Sequence, residues 1–590
     1  MLIPGKTIGQ GETLHTDVCI VGAGAAGLTL AHAFEAAPFS VLLLESGGFQ
    51  VDPVIQSMAD GTTEGMPYPF MTSRARCFGG STTRWTGVCI PLDAGDFQQK
   101  SWLPHSGWPF DRSVLLPYYR RAQQIFGLSA LLPPVPDRLP FHQSPLETKT
   151  MQYSCPRDLG RKYKRQIVRS RNVTLITHAN VTELIPDGDR QRVAHIDIRS
   201  NHTFKVIPKT VILATGGIEN ARLLLASNTQ CANGLGNSHD LVGRFFMEHY
   251  FKVIGILPVD QRRRDTLFLT NRRRLGQTLA KGTFGLNDEL REQRQLLNLH
   301  TRLYRYSRLE DTATVAAAKQ LQLDLLNNPR LALTRYLAAV KASRKQQISK
   351  QQTGLSAKSI LPRYVSWHYW NKFNLAARFD HVRLLACIEQ EPDPNNRITL
   401  SQQRDCLGQS RAHLTLRFSD RMWASVEQSL WHIDQALQAQ GFGPLQYSSE
   451  RLKHLDPYNK IGLHHMGTTR MHDSPHHGVV DANCRVHDLA NLYVAGSSVF
   501  PTGGAANPTF TIAALALRLA DHIYSLYTHS LSTASPQLTF RTEDTFQTDT
   551  AQTDTAQTDT TSTGVIKADA MPSGTGAPST AAPGTIKTTR

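Results

Sequence analysis

Residues 17–48 read DVCIVGAGAAGLTLAHAFEAAPFSVLLLESGG, and the fold is decided in this stretch. Asp17–Val21 is a short apolar run of β type, and Gly22, Gly24 and Gly27 follow it in GxGxxG spacing. An apolar helical stretch, Leu28–Phe34, then leads to a second apolar run, Val41–Leu44. Strand, turn, helix and strand in that order predict a dinucleotide-binding unit. The first glycine permits the tight turn, the second lets a pyrophosphate approach the backbone, and the third lets helix and strand pack closely. Glu45 ends the second strand, 21 residues after Gly24, where a carboxylate can accept hydrogen bonds from a ribose diol. An acidic residue there opposes a 2′-phosphate, which favours FAD or NAD over NADP and weighs against a glycine-rich turn with no ligand.

Working outward, Gly79, Gly80 and Ser81 form a second small-residue loop, suited to bringing backbone donors to a phosphate. Thr215 and Gly216 follow a parallel-type strand at Lys209–Ala214, and a further strand at Leu492–Ala495 precedes a long apolar segment, Asn507–Leu519. One nucleotide domain is therefore expected from three separated stretches, 1–106, 201–249 and 461–529. The intervening stretches, 107–200, with cofactor-contacting strands, and 250–460, with a helical basic insertion at 312–350, are richer in aromatic and charged residues and are expected to build a substrate domain. The predicted class is α/β: a discontinuous Rossmann-like FAD-binding domain plus an α+β substrate-binding domain with a mainly antiparallel sheet.

The chain has 590 residues, 40% hydrophobic and 19% charged, with a formal net charge of +16. No run of about twenty apolar residues interrupts it, and its start offers no basic segment followed by an apolar core and a cleavage site, so a soluble, cytoplasmic protein is expected. The eight cysteines, at 19, 77, 89, 155, 231, 387, 406 and 484, show no CxxC pair, which argues against a disulfide framework or a metal centre. Arginines cluster at Arg262–Arg264 and Arg272–Arg274, with more basic residues over 341–350, but no nucleic-acid-binding pattern accompanies them. A solvated basic face is the simpler reading, and no nucleic-acid partner is expected. Residues 312–350 read as amphipathic helices with a basic polar side, for which a weak membrane-surface or partner contact is the alternative to packing on the substrate domain. From residue 530 to 590 the chain is Thr/Asp/Gln/Ala/Pro/Gly-rich, with QTDTA repeats from Gln547, and a disordered tail is predicted.

Through DVCIVGAGAAG, CFGGSTTRWTG, VILATGGIENARLLLAS, LVGRFFMEH, HHMGTTRM, GVVDANCRV and NLYVAGSSVFPTGGAANPTFTIAALALRLAD, the chain resembles the glucose–methanol–choline (GMC) oxidoreductases. It is most similar in look to bacterial sugar- and polyol-oxidising and pyranose-oxidase-like members. The resemblance implies FAD as cofactor and oxidation of an alcohol by hydride transfer to flavin N5, with oxygen, a quinone or a cytochrome as final acceptor. It places the catalytic base at His464 in HxxGT, with Asn507 as its partner, and no metal. Histidine suits a base that works near neutral pH, and an amide can bond the substrate oxygen without competing for the proton. Adjacent His465 is ambiguous from the residues alone, and the motif favours His464. Further cofactor contacts are implied at Trp85, Thr86, Val181 and Ser497, and at Pro508 and Thr509, where a helix N-terminus can face the negative edge of a reduced flavin. Arg84 stands where pyranose-oxidase-like members carry the flavin on a histidine, so the FAD is expected to be non-covalent. A member of the same fold with a repurposed reaction, such as a lyase or decarboxylase, and a flavin-binding electron-transfer or scaffold subunit are the rival readings.

Overall fold

A computed structural model describes residues 1–130, 144–259, 272–306, 381–448 and 460–533. The basic stretches 262–264 and 312–350 and the repeats after Gln547 lie outside the described residues. Two large sheets occupy one compact unit, Met1–Ala534. The first runs in the order Leu2–Pro4, Val173–Thr177, Val41–Glu45, Thr13–Val21, Thr203–Leu213, Val193–Arg199, Asn180–Pro186, and Leu492–Val494 lies beside Thr203–Leu213. Pairing is parallel from Leu2–Pro4 through Thr203–Leu213 and antiparallel in the last three strands. Val18–Val21 and Val41–Leu44 are buried on both faces, as expected of parallel strands covered by helices.

The turn after Val21 shows why the three glycines are needed. Gly22 sits at φ +102, a backbone conformation that L side chains rarely adopt. A Cβ on Gly27 would lie 1.8 Å from Gly22 O, so the helix Ala25–Ala33 can sit this close only without a side chain there. That helix packs against the C-terminal helix Thr509–Thr533.

The second sheet is antiparallel throughout: Lys460–Ile461, Tyr250–Pro258, His381–Ile388, Leu299–Tyr306, Thr278–Leu286, Leu146–Tyr153, Val88–Cys89. Helix Asp420–Ala439 packs into its core through Met422, Val426, Leu430, Ile433 and Leu437, spaced by three or four residues on one face. Ser419 caps that helix by accepting from Met422 N at 3.1 Å. A small third sheet, Arg397–Arg404, Ser410–Leu416 and Gly61–Gly65, was not foreseen.

The fold class is as the sequence predicts, while three boundaries differ. Residues 107–200 are divided: Leu146–Tyr153 joins the second sheet, whereas Val173–Thr177, Asn180–Pro186 and Val193–Arg199 extend the first. Alternating burial in these short strands does not reveal which sheet they join. The segment 1–106 likewise gives Val88–Cys89 to the second sheet. The final helix continues to Thr533, four residues into the range expected to be disordered. No helix among the described residues is long and apolar enough to cross a membrane.

Candidate functional site

A cavity of about 750 Å³ runs from the glycine turn of the first sheet to the face of the second, a size typical of ligand sites. Gly22, Gly24, Glu45, Gly80, Ser81, Trp85, Thr86, Val181, Thr215, Gly216, His464, Ser497, Asn507, Pro508 and Thr509 all line it. Gly27 and Gly79 do not: Gly27 packs under the turn, and Gly79, at φ +100, donates its N–H to Ala23 O at 2.9 Å, clamping the two glycine loops together. Of the loop expected to face a phosphate, Gly80 and Ser81 line the cavity and Gly79 does not.

The cavity's chemistry fits an extended dinucleotide. A Cβ built on Gly24, Gly216 or Gly496 would meet no protein atom within 4 Å, so each marks a place where a ligand can approach bare backbone. Glu45 is held with Oε2 accepting from Ala23 N at 3.0 Å and Oε1 accepting from Gly47 N at 2.9 Å. Burial raises its pKa against the pull of these donors. Ser497 directs its hydroxyl to His465 O at 2.5 Å, which leaves the neighbouring Gly496 backbone as the more open contact on that loop. Arg84 is exposed at the cavity margin.

At the other end, side chains from separate elements converge on His464. Its Nε2 lies 3.1 Å from Asn507 Nδ2, and its Nδ1 lies 2.8 Å from His249 Nδ1. His249 Nε2 is 2.7 Å from Gly504 O. A carbonyl can only accept, so in the neutral ring His249 carries its proton on Nε2 and presents a bare Nδ1. His464 must then donate from Nδ1, and its Nε2 is unprotonated and carries an acceptor lone pair. Asn507 is oriented by Arg302, whose Nη2 donates to Oδ1 at 2.7 Å, so the amide turns its N–H toward His464.

Burial pushes the His249 pKa down to about 4, and burial together with His249 and Arg302 holds His464 well below the usual histidine range. Both rings are therefore neutral near pH 7. Behind them Glu248 Oε1 accepts from His464 N at 2.6 Å and His249 N at 2.9 Å, while Tyr68 Oη donates to Oε2 at 2.8 Å. Burial raises the Glu248 carboxyl to about 8 despite these donors. His465 also lines the cavity, its ring packed 5.7 Å from Tyr68 and 6.2 Å from Phe246, and burial lowers its pKa to about 3.

His249, Glu248, Arg302 and Gly504 were missed by sequence reasoning. His249 and Glu248 sit inside LVGRFFMEH, where a histidine and a glutamate within an apolar run were the available signal. Nothing in the sequence marks Arg302 or the carbonyl of Gly504.

Residues 392–516 match the family model described as GMC oxidoreductase, and residues 17–231 match that described as FAD dependent oxidoreductase. A 2-methyl-1,2-propanediol dehydrogenase of Mycolicibacterium austroafricanum is 22% identical over 86% of this chain and 95% of its own length. The fructose dehydrogenase large subunit of Gluconobacter japonicus is 26% identical over 54% of this chain and 48% of its own. A fungal aryl-alcohol oxidase structure superposes with a TM-score of 0.51 at 14% identity, covering 87% of this chain and 99% of that one.

Proposed function

We propose that this chain, which belongs to the glucose–methanol–choline oxidoreductases and is FAD-dependent, oxidises an alcohol carbon of a polyol or sugar with His464 as the base. The observation that carries the reading is the hydrogen-bond chain Gly504–His249–His464, which leaves Nε2 of His464 unprotonated beside Asn507 at the cavity wall. Relatives named for a diol and for fructose support alcohols of that kind.

FAD would be held by Gly24, Gly216, Gly496 and Glu45, and when bound it supplies the acceptor for the hydride that leaves the alcohol carbon. The protein's part is positional and acid–base. Asn507 Nδ2, fixed by Arg302, is placed to donate to the alcohol oxygen. His464 Nε2 is placed to take the hydroxyl proton, and the resulting imidazolium keeps its Nδ1–H bond to His249. Without a histidine at position 84 the cofactor is non-covalent. All eight cysteines are free thiols, which suits the reducing cytoplasm.

The test is anaerobic flavin bleaching of the holoenzyme by a panel of polyols, sugars and primary alcohols, followed by rapid mixing with His464→Ala. Removing a general base should slow reduction by about a hundredfold to ten-thousandfold, with flavin content intact and His465→Ala much less affected. Bleaching at the parent rate in His464→Ala would remove the base from this reading, and a flavin that no alcohol bleaches would favour an electron-transfer role instead.

A further inference from the structure

The substrate end of the cavity is floored by one face of the second sheet. Phe251 and Val253 come from one strand, Arg383 and Leu385 from the next, and Arg302 and Tyr304 from the third. Arg302 is the feature an uncharged alcohol does not require. Its side chain is more than nine-tenths buried, 8% exposed as a residue, and it lines the cavity. Nη2 is committed to Asn507 Oδ1, Nε is buried without a partner, and among the described residues no carboxylate forms an ion pair with the guanidinium. Its flat face lies 5.3 Å from the Phe251 ring centroid. A buried guanidinium is costly unless an anion meets it.

The surroundings add to the imbalance. Lys281 Nζ, buried in the adjoining strand, donates to Leu303 O at 2.7 Å and lies 3.9 Å from the Tyr304 ring centroid. Burial, with Arg302, Arg272 and Arg305 around it, lowers Lys281 to about 7. The three carboxylates that line the cavity are each engaged: Glu45 by backbone N–H groups, Glu219 by Arg74 and Arg76, and Asp405 by Arg222. The carboxyl behind the base, Glu248, is raised to about 8 and does not line the cavity.

We propose that the alcohol this site takes carries an oxyanion, a carboxylate or a phosphate, which Arg302 binds beside the catalytic pair. The inference rests on the alcohol-oxidising reading above and specifies its substrate class. Arg302 would then do two things with one guanidinium: fix the Asn507 amide with Nη2 and meet the anion with its remaining N–H donors. Guanidinium–oxyanion bonds are among the stronger hydrogen bonds and are strengthened in a partly desolvated site.

The holoenzyme decides the matter through matched pairs differing only in charge: gluconate against sorbitol, and glycerol 3-phosphate against glycerol. Binding is read from the perturbed absorbance of oxidised flavin, and turnover from anaerobic bleaching. In at least one pair the anionic member should bind about tenfold or more tightly, and which pair does so separates carboxylate from phosphate. The advantage should shrink toward parity as salt rises to about 0.5 M. It should disappear in Arg302→Gln and survive in Arg302→Lys. Equal binding within both pairs overturns the proposal, as does an advantage that Arg302→Gln leaves intact. Should Arg302→Gln fail to fold, the ratios and salt dependence of the parent already decide. Bleaching by a neutral alcohol with no preference for its anionic partner would sink the anion and leave alcohol oxidation standing; Arg302-dependent anion binding with no alcohol able to bleach the flavin would do the reverse.

Discussion

Replacing His249 by leucine tests whether His464 owes its reactive tautomer to its neighbour. The substitution removes the acceptor for His464 Nδ1–H at 2.8 Å and the donor to Gly504 O at 2.7 Å, both in a buried setting. A neutral hydrogen bond contributes about 0.5–1.5 kcal/mol net, and a buried polar group left without a partner costs about 1–3 kcal/mol. If about 1.4–2.8 kcal/mol of that is lost from the transition state, flavin reduction slows by about tenfold to a hundredfold. Nothing in the change touches the glycine cradle or Glu45, so flavin content should match the parent. Asparagine at 249 can present an oxygen to His464 and an N–H to Gly504, so His249→Asn should recover most of the rate. A merely structural role would not produce that recovery. The assay is stopped-flow anaerobic reduction by any alcohol that bleaches the parent, compared across pH. Parent-like reduction in His249→Leu, or equal losses in the leucine and asparagine variants, would refute the tautomer argument.

Two further outcomes follow from the site. Acid precipitation of the holoenzyme should release all its flavin to the supernatant as FAD, since Arg84 cannot form a histidyl link; colour retained in the pellet would show a covalent bond elsewhere. Stability should rise with pH up to about 6.5. The folded pKa values of His249 and His465, about 4 and about 3, lie below the ordinary value of 6.5, so below that pH the unfolded chain binds more protons and stability falls with acidity. Glu248, raised from 4.5 to about 8, works in the opposite sense: its contribution is full below pH 4.5 and is lost as pH rises toward 8. Each proton of difference changes stability by about 1.4 kcal/mol per pH unit. Below pH 6.5 the histidines outnumber the single carboxyl, whereas from about pH 7 the lowered Lys281 opposes Glu248 and offsets its loss. Thermal melts across pH 4.5–6.5 should therefore show stability rising with pH, and Glu248→Gln should steepen that rise; an unchanged slope would remove Glu248 from the balance.

The nucleotide half of the molecule was readable because its constraints are local. Gly22, Gly24, Gly27 and Glu45 lie within 24 residues, and each answers to a steric or hydrogen-bonding need that only that residue type meets. His464 and Asn507 were readable from motif resemblance, and the structure brings them within 3.1 Å. What stayed hidden depends on distance in the chain. Arg302 reaches Asn507 across 205 positions, and His249 reaches Gly504 across 255, with tertiary packing rather than spacing in the sequence setting both contacts. The strands Val173–Thr177, Asn180–Pro186 and Val193–Arg199, expected as cofactor-contacting strands of the substrate stretch, join the first sheet, and a short half-buried strand carries no mark of the sheet it will join.

The discontinuity of the first sheet has a consequence during synthesis. Strand Thr203–Leu213 offers the edge at Val211–Leu213 that Leu492–Val494 later covers, about 280 residues downstream. At ordinary translation rates that edge stays bare for roughly 15–55 seconds. Throughout that interval the nascent chain displays an apolar, hydrogen-bond-hungry ribbon, while Asn507 has yet to leave the ribosome and His464 emerges only near its end. The half-made protein thus has a template for β-pairing with its neighbours before it has an active site, which makes it a natural client for chaperones. Its soluble yield should respond to translation speed and chaperone supply more strongly than the stability of the finished fold would suggest.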